Sequence, residues 1–435
     1  MQRRNFMKLT GGSVAALTLR CGASDTQSPV ASAGSSLYEK FQNPDAEARP
    51  FVRWWWNGAK VTEQEILREL DLLHQAGMGG VEINTIAFPE GSTETGDPAL
   101  PWLSAEWNRM IKIASDGCRE RGMIADLIVG SGWPFGGRFL ESGETIQGVA
   151  LNKISLQGPT TRTGRLSEIM KPPPTRNMVE NMPDPELKFL RLVPEGAGGL
   201  DDCIALEDAV TADGSIRIQV PSGRHTLYVG TWRESYTAVH HGAPGSDGQV
   251  LNHYNKDAVE KYLNHMSDIL GPVLGGSLGD GLRAVFCDSI ELSESNWTTD
   301  FEVEFEKRRS YKLTPWLHFV IDYEPTGATP EFNDQIRRVR YDFHRTMVEL
   351  FHERFIHVFH QWCRQNGVLS RYQAYGSPFL MGMLTGYMVP DIPEGDTWIF
   401  PHPPIGEPLD GIRYAVWNKY ASSGGHLSGK RIVAC

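Results

Sequence analysis

Residues 282–300 have the sequence L-R-A-V-F-C-D-S-I-E-L-S-E-S-N-W-T-T-D, an apolar run followed by a cluster of acidic side chains. The run 282–287 predicts a buried strand, and Asp288, Glu291 and Glu294 come directly after it. An unpaired carboxylate inside a core costs several kcal/mol, whereas the carboxyl-end mouth of a parallel barrel presents such groups to a cleft. We therefore expect this strand to end at a functional cleft.

A second acidic cluster lies in M-V-P-D-I-P-E-G-D-T-W, where Asp391, Glu394 and Asp396 are expected to follow a further strand. Two such clusters at strand ends suggest a pair of carboxylates acting on a sugar. Helix caps or surface loops explain the same residues about as well on chemistry alone. Both interpretations stay open at this point.

Composition limits the function classes. A chain of 435 residues allows two or three domains, or one barrel of about 250 residues with an insertion. A net charge of −11 argues against nucleic acid as a partner, since phosphate binding needs a basic face. Twelve Trp and thirteen Tyr favour a ligand with apolar ring faces, such as a sugar. Six Cys without a C-x-x-C pair indicate neither a zinc knuckle nor a dense disulfide framework.

Residues 1–46 have the features of an export signal and a linker. Arg3 and Arg4 precede a short stretch of small and apolar residues, which resembles a twin-arginine signal. The apolar stretch is too short to span a bilayer. Cys21 is a possible lipid-attachment site, although Arg20 stands where a small residue is usual. We expect a periplasmic, cell-surface or secreted protein; the alternative is a disordered cytosolic tail.

Residues 47–145 alternate between strand and helix patterns, which predicts βαβ units and a parallel sheet. The predicted strands are 51–56, 79–84 and 123–130, and the predicted helices are 61–76, capped by Thr62, and 107–121. Residues 146–252 instead contain short β-prone runs, at 187–193, 215–220 and 225–232, separated by turns. We expect an antiparallel β-insertion there.

Residues 253–435 return to α/β alternation. The predicted elements are a helix from Asp257 to Ile269, the strand 282–287, a helix over 300–317, a long helix over 337–365, strands at 368–375 and before Asp391, a helix over 412–423 and a strand at 430–435. About seven strands result, and the sequence stops on the last. We therefore expect an incomplete TIM-like (β/α)8 barrel from a longer protein, ending in mid-barrel.

Two patterns imitate known motifs. The segment G-S-G-W-P-F-G-G at 130–137 lacks the Lys of a P-loop, so it favours a loop at the substrate with Trp133 and Phe135 as walls. His352 and His357 are five residues apart, whereas a zinc-protease helix needs them four apart. A metal site on that helix is therefore not expected.

Together the segments resemble glycoside hydrolase family 106, the α-L-rhamnosidase-like enzymes. The matching blocks are R-W-W-W-N-G-A-K-V-T-E-Q-E-I and A-G-M-G-G-V-E-I within 53–83, then 130–137, 288–301, 305–313, 374–376, 391–396 and 421–430. The resemblance implies export, a TIM-like barrel with β-insertions, inverting hydrolysis of terminal α-L-rhamnosides in plant or microbial glycans, and a calcium ion at the sugar.

The resemblance also implies residue roles. Glu291 is the expected general acid, and Glu394 is either the second carboxylate or a ligand of calcium and sugar hydroxyls, the calcium ligands being Asp391 and Glu394. Family members usually carry a further Glu after the strand that matches 430–435, where this sequence ends. The expected substrate-binding residues lie in the matching blocks: Trp55, Asn57, Trp133, Asp288, Trp297, Tyr375 and His426.

Two other functions remain compatible with these residues. One is a non-catalytic barrel that binds carbohydrate, in which the carboxylates act only as hydrogen-bonding groups. The other is a barrel hydrolase for a different sugar, such as another deoxysugar or a uronic acid.

Overall fold

The computed structural model describes residues 37–89, 91, 96–130, 132, 134–171, 183–292, 294–322, 327–376, 382–396 and 410–435, with the backbone alone at 410–415 and 417. The chain divides into two units, Met1–Pro44 and Asp45–Cys435. In the first unit the described residues form helix α1 (Leu37–Gln42), whose side chains are all exposed, within the predicted linker. Arg3, Arg4 and Cys21 lie outside the described residues.

The strands are β1 Phe51–Asn57, β2 Gly80–Ile86, β3 Ile124–Ile128, β4 Gly136–Gly137, β5 Gln147–Arg165, β6 Glu186–Pro194, β7 Ile204–Ala205, β8 Ser215–Glu234, β9 Gln249–Val250, β10 Ala284–Cys287, β11 Leu369–Tyr372 and β12 Ile392–Pro393. The remaining helices are α2 Glu63–Gln75, α3 Ala105–Glu120, α4 Leu166–Ile169, α5 Lys256–Leu274, α6 Phe301–Arg309, α7 Leu317–Ile321, α8 Pro330–Phe351, α9 His357–Gln365, α10 Met383–Met388 and α11 Asp410–Leu427.

The central sheet contains six parallel strands that pair in the order β1-β2-β3-β10-β11-β12. The predicted α/β fold with a parallel sheet is therefore confirmed. Each strand lies beside its sequence neighbour and the order never reverses, which is typical of a barrel wall. Closure into a barrel stays a prediction.

Local sequence signals determine where helix α2 begins. The Thr62 side chain accepts a hydrogen bond from the Glu65 backbone N–H at 3.3 Å, which caps α2. Helix α2 buries Ile66 and Leu70 against the sheet side of the unit. The predicted start of this helix is correct because cap and apolar spacing are both local signals.

A four-stranded antiparallel sheet lies between β3 and β10 in the chain, in the order β5-β8-β6-β7. The predicted strands at 215–220 and 225–232 are in fact one strand, β8, paired with β5 along its whole length. Gly223, at φ +102°, takes part in the register shift opposite Gly158 that lets β8 continue past Pro221. The apolar face of this antiparallel sheet has its own small core around Leu192 and Val229.

Three helix boundaries in the second half differ from prediction. Asn255, not Asp257, caps α5 by accepting from the Ala258 N–H at 3.3 Å. Ser310 adopts a left-handed conformation at φ +64° and ends α6, so the predicted continuation over 311–317 is wrong. Thr329 caps α8, which begins at Pro330 and continues through a π-helical turn (His352–Ile356) into α9.

The last strand is short, and Asp391 precedes it rather than follows it. The segment 430–435 does not form the predicted strand; its one isolated parallel bridge joins Ala434 to Glu394, directly after β12. No helix in the described part of the chain is long and apolar enough to cross a membrane.

Candidate active site

All six strands of the central sheet are parallel, so their carboxyl ends meet at one edge. That edge carries the loops after β10, β11 and β12 together with the last residues of β1 and β2. Polar residues at these positions are therefore brought together, although they are distant in the sequence.

Arg53 on β1 connects three carboxylates at the exposed part of this edge. Its Nε lies 2.9 Å from Glu82 Oε1, its Nη1 3.3 Å from Asp288 Oδ2 and its Nη2 3.6 Å from Glu394 Oε1. The guanidinium also stacks over the Phe286 ring, 4.7 Å from the ring centroid. One side chain thus links three strands and two loops, and 29% of it is exposed.

Arg371 on β11 contacts two of the same carboxylates as Arg53 and is nearly buried. Its Nη2 is 2.7 Å from Glu82 Oε2, its Nη1 is 3.2 Å from Asp126 Oδ2, and its Nε donates to Glu394. Arg283 also donates to Asp126, from Nε at 3.0 Å. Strand pairing explains why Arg371 reaches both Glu82 and Asp126, because these two residues lie beside each other in register.

The network contains more carboxylates than guanidiniums, and burial affects the pKa values. Burial raises the pKa of Glu82 despite the neighbouring Arg371 and Arg53. Burial also raises the pKa of Asp288, while Arg53 and the Ser289 N–H act against it. Asp288 therefore keeps a proton to higher pH than an exposed Asp does.

Glu291 lies exposed in the loop after β10. The Ser289 hydroxyl donates to its Oε1 at 3.4 Å. Gly376 packs against this loop at φ +117°, and an added Cβ there would lie 3.3 Å from Glu291 Cγ. The Tyr375 hydroxyl donates to Asp396 Oδ2 at 2.5 Å. The loops after β10, β11 and β12 are thus in contact around these carboxylates.

Glu394 is buried, and both of its carboxylate oxygens are occupied. Arg371 donates to Oε2, and Gln373 Nε2 donates to Oε1 at 3.0 Å. A carboxylate held this way has little freedom to activate water or to bind a cation.

Asp391 lies at the opposite, amino end of β12. It accepts from the Ser370 N–H and hydroxyl, each at 3.0 Å, and lies 3.5 Å from His360 Nδ1. The predicted calcium pair, Asp391 and Glu394, therefore does not converge. Within the described ranges, no group of three or more His, Cys, Asp or Glu side chains is arranged to hold a metal. Calcium at other oxygen ligands stays a prediction.

Two predicted sugar-binding residues lie at the same edge. Trp55 is 44% exposed on β1, and the Arg53 guanidinium lies 5.6 Å from its ring centroid. Asn57 is the exposed last residue of β1. Both are exposed, whereas Asp288 and Tyr375 at the same edge are partly buried. Trp133 lies outside the described residues.

Three predicted roles do not fit the structure. Trp297 is only 3% exposed, with Phe301 against its ring and Lys188 Nζ 4.4 Å from its centroid, so it is a core residue rather than a sugar platform. Phe135 is buried against Tyr262. His426 is exposed in the last turn of α11, and among the described residues no contact joins its side chain to the carboxyl-end edge.

Arg53, Arg371 and their strand partners Glu82 and Asp126 were not predicted. Each lies inside an apolar strand, where the pattern predicted only burial. The available signal is a single charged residue within each of four strands: Arg53, Glu82, Asp126 and Arg371. A buried charge needs a partner, so charged residues of opposite sign on adjacent strands indicate a shared network.

Comparisons with known proteins agree with this architecture. A family model described as alpha-L-rhamnosidase, that of glycoside hydrolase family 106, matches residues 42–190 and 194–435. The rhamnosidase from Novosphingobium sp. PP1Y has a similar structure, with a TM-score of 0.65 and 17% identity over 92% of this chain and 53% of that one. At that identity the likeness concerns the fold alone.

A curated relative from Formosa agariphila, named "Putative beta-glucuronidase", is 23% identical over 92% of this chain and 35% of its own length. The chain therefore spans about a third of that relative and about half of the solved rhamnosidase.

Proposed function

The chain belongs to glycoside hydrolase family 106, the alpha-L-rhamnosidase family, and on that premise we propose that the protein is a glycosidase removing terminal α-L-rhamnosyl residues from rhamnose-containing oligo- or polysaccharides. One observation supports this most. The loops after three adjacent strands bring Asp288, Glu291 and Asp396 to one edge, beside the exposed Trp55.

The proposed reaction is inverting and uses two carboxyl groups. Glu291 protonates the glycosidic oxygen, because it is an exposed carboxyl in the loop after β10 and the Ser289 hydroxyl can orient it by donating to Oε1. A second carboxylate activates water from the opposite face of the sugar, which requires a separation of about 6.5–9.5 Å between the carboxyls.

The second carboxylate is assigned by elimination within this edge. Glu394 is engaged by Arg371 and Gln373, which favours a role in holding the arginines in place. Asp288 and Asp396 lie closer to solvent, and the raised pKa of Asp288 suits a group that takes up a proton. We therefore propose Asp288 or Asp396 as the base, with Glu394 as a positioning residue.

Hydrolysis by Glu291→Gln tests the proposal. On an alkyl α-L-rhamnoside, the variant is expected to lose about 10²–10⁴-fold in kcat, the usual contribution of a general acid. Glu306→Gln, an exposed glutamate on α6, is the matched control and is expected to keep wild-type activity. Wild-type kcat in Glu291→Gln would contradict the assignment.

A second candidate substrate is a β-D-glucuronide. The name of the Formosa relative suggests it, and the partly exposed Arg53 is a cation that a uronic acid carboxylate could meet. A panel of aryl glycosides separates the two. Release from the α-L-rhamnoside supports the first proposal, and release from the β-D-glucuronide alone supports the second.

We also propose that residues 1–46 direct export through a twin-arginine route, to the periplasm, cell surface or medium. The motif Arg3-Arg4 with Phe6 supports this. A reporter fused after residue 46 is expected to be exported, and replacing both arginines by lysine is expected to retain it in the cytoplasm. Unchanged export of the double variant would refute a twin-arginine route.

A further inference from the structure

The inserted sheet binds directly to the loop that carries Glu291. The Val149 N–H on β5 donates to Asn296 Oδ1 at 2.7 Å, and Asn296 Nδ2 donates back to the Val149 carbonyl at 3.0 Å. Gln147 and Trp297 form an antiparallel bridge beside this pair. The end of the loop therefore lies against β5.

An ion pair between a buried arginine and a partly exposed glutamate makes a second connection. Arg233 on β8 lies opposite Gly148 of β5 and is almost fully buried, with its guanidinium 4.3 Å from the Tyr236 ring centroid. Its Nη2 donates to Glu294, which is three residues after Glu291. The insertion thus holds the same loop at two points.

The backbone at Glu294 depends on this contact. Glu294 has φ +59°, a left-handed conformation that is costly for a residue with a side chain. A Cβ at Gly148 would lie 2.6 Å from the Glu294 carbonyl oxygen, so the β-sheet backbone approaches the loop closely. Strain of this kind persists only where surrounding contacts fix the conformation.

The charges of Arg233 and Glu294 explain why these two side chains pair with each other. Among the described residues, Glu294 is the carboxylate that pairs with the Arg233 guanidinium, and Arg233 Nε and Nη1 have no hydrogen-bond partner there. A buried cation strongly favours keeping its one anion close. Glu294, which the sequence groups with the site acids, therefore pairs with the insertion.

We propose that Arg233 and Glu294 are positioning residues, through which the inserted sheet fixes the loop that presents Glu291 to the glycosidic oxygen. This inference rests on the proposed function. It gives the insertion a role in catalysis without any contact between the insertion and the reacting atoms.

Leaving-group dependence distinguishes positioning from simple stabilisation. An alkyl leaving group needs protonation by the acid, whereas a dinitrophenyl leaving group departs with little help, because acid catalysis follows Brønsted behaviour. A displaced acid therefore lowers the rate on the alkyl rhamnoside far more than on the dinitrophenyl rhamnoside. Partial unfolding lowers both rates by the same factor.

The test compares Arg233→Met with Arg217→Met, an exposed arginine on the same strand. Arg233→Met is expected to lose about 10–100-fold in kcat on the alkyl rhamnoside, the order expected for displacement by about 1 Å. KM stays near the wild-type value, the dinitrophenyl rate changes little, and Arg233→Lys restores much of the loss. Arg217→Met behaves as wild type. Equal losses on both substrates would overturn the proposal.

Hydrogen exchange provides a readout that needs no activity. Peptides covering residues 288–297 are expected to exchange faster in Arg233→Met and in Glu294→Gln than in the wild type or Arg217→Met. Unchanged exchange would also overturn the proposal. If the wild type hydrolyses neither rhamnoside, the proposed function fails, and the exchange result still decides whether the insertion holds the loop.

Discussion

Replacing Arg371 by methionine removes the centre of the buried charge network. The side chain is 9% exposed and contacts Glu82 at 2.7 Å, Asp126 at 3.2 Å and Glu394. Each carboxylate keeps at least one other donor: Arg53 and Asn84 on Glu82, Arg283 on Asp126, and Gln373 on Glu394. We therefore expect a loss of about 3–5 kcal/mol, the cost of breaking one buried pair, and not a multiple of it.

Urea unfolding of the full chain at pH 7 measures this loss, with Arg338→Met as the control. Arg338 is 79% exposed and pairs with Asp334 on the same helix, so its replacement is expected to cost about 0–1 kcal/mol. Burial already raises the pKa of Glu82 in the wild type, and Arg371 is the main cation that opposes this, so the pKa of Glu82 rises further in the variant. As the pH falls, the folded variant therefore binds protons before its unfolded chain does. The difference in the free energy of unfolding between wild type and variant then narrows toward pH 5. A loss in the free energy of unfolding no larger than that of Arg338→Met, or a difference from the wild type that widens at low pH, would refute the reasoning.

Two further predictions concern burial. Burial lowers the pKa of His253 to about 3, below the usual 6.5, so this residue contributes stability above pH 6.5 that is lost as the pH falls toward 3, by about 1.4 kcal/mol per unit. Thermal melts across this range are expected to show a flatter profile for His253→Phe, and parallel profiles would contradict it. Asn296→Ala removes both hydrogen bonds to Val149 and leaves buried backbone groups unpaired, so calorimetry is expected to show a loss of about 1–3 kcal/mol. An unchanged free energy of unfolding would show that the loop does not depend on this pair.

The parallel part of the fold was predictable because its signals are local. The Thr62 cap, the apolar spacing of α2 and the short apolar strands are each contained within one element. The continuous strand β8 was not, because Pro221 and Gly223 indicate a turn and only the pairing with β5 shows otherwise. The end of α6 at Ser310 likewise depends on a backbone conformation that the residue type does not favour.

Part of the candidate site was predictable from the position of residues after strands. Asp288, Glu291 and Tyr375 lie at or just after the ends of predicted strands, and the structure places them at one edge of the sheet. Residue type alone misled at Trp297, because an aromatic ring serves a core as well as a sugar. Asp391 was misplaced because β12 is only two residues long, which puts the acids before and after it at opposite ends.

A crystal structure of the Glu291→Gln variant with an intact rhamnoside tests most directly whether this sheet edge is the glycan site. The sugar is expected to lie against the loops after β10, β11 and β12. Its glycosidic oxygen is expected within about 3 Å of the substituted side chain at position 291, as proton transfer from the native glutamate requires. A rhamnoside bound elsewhere, without contact to Asp288 or to the side chain at position 291, would contradict the proposed site.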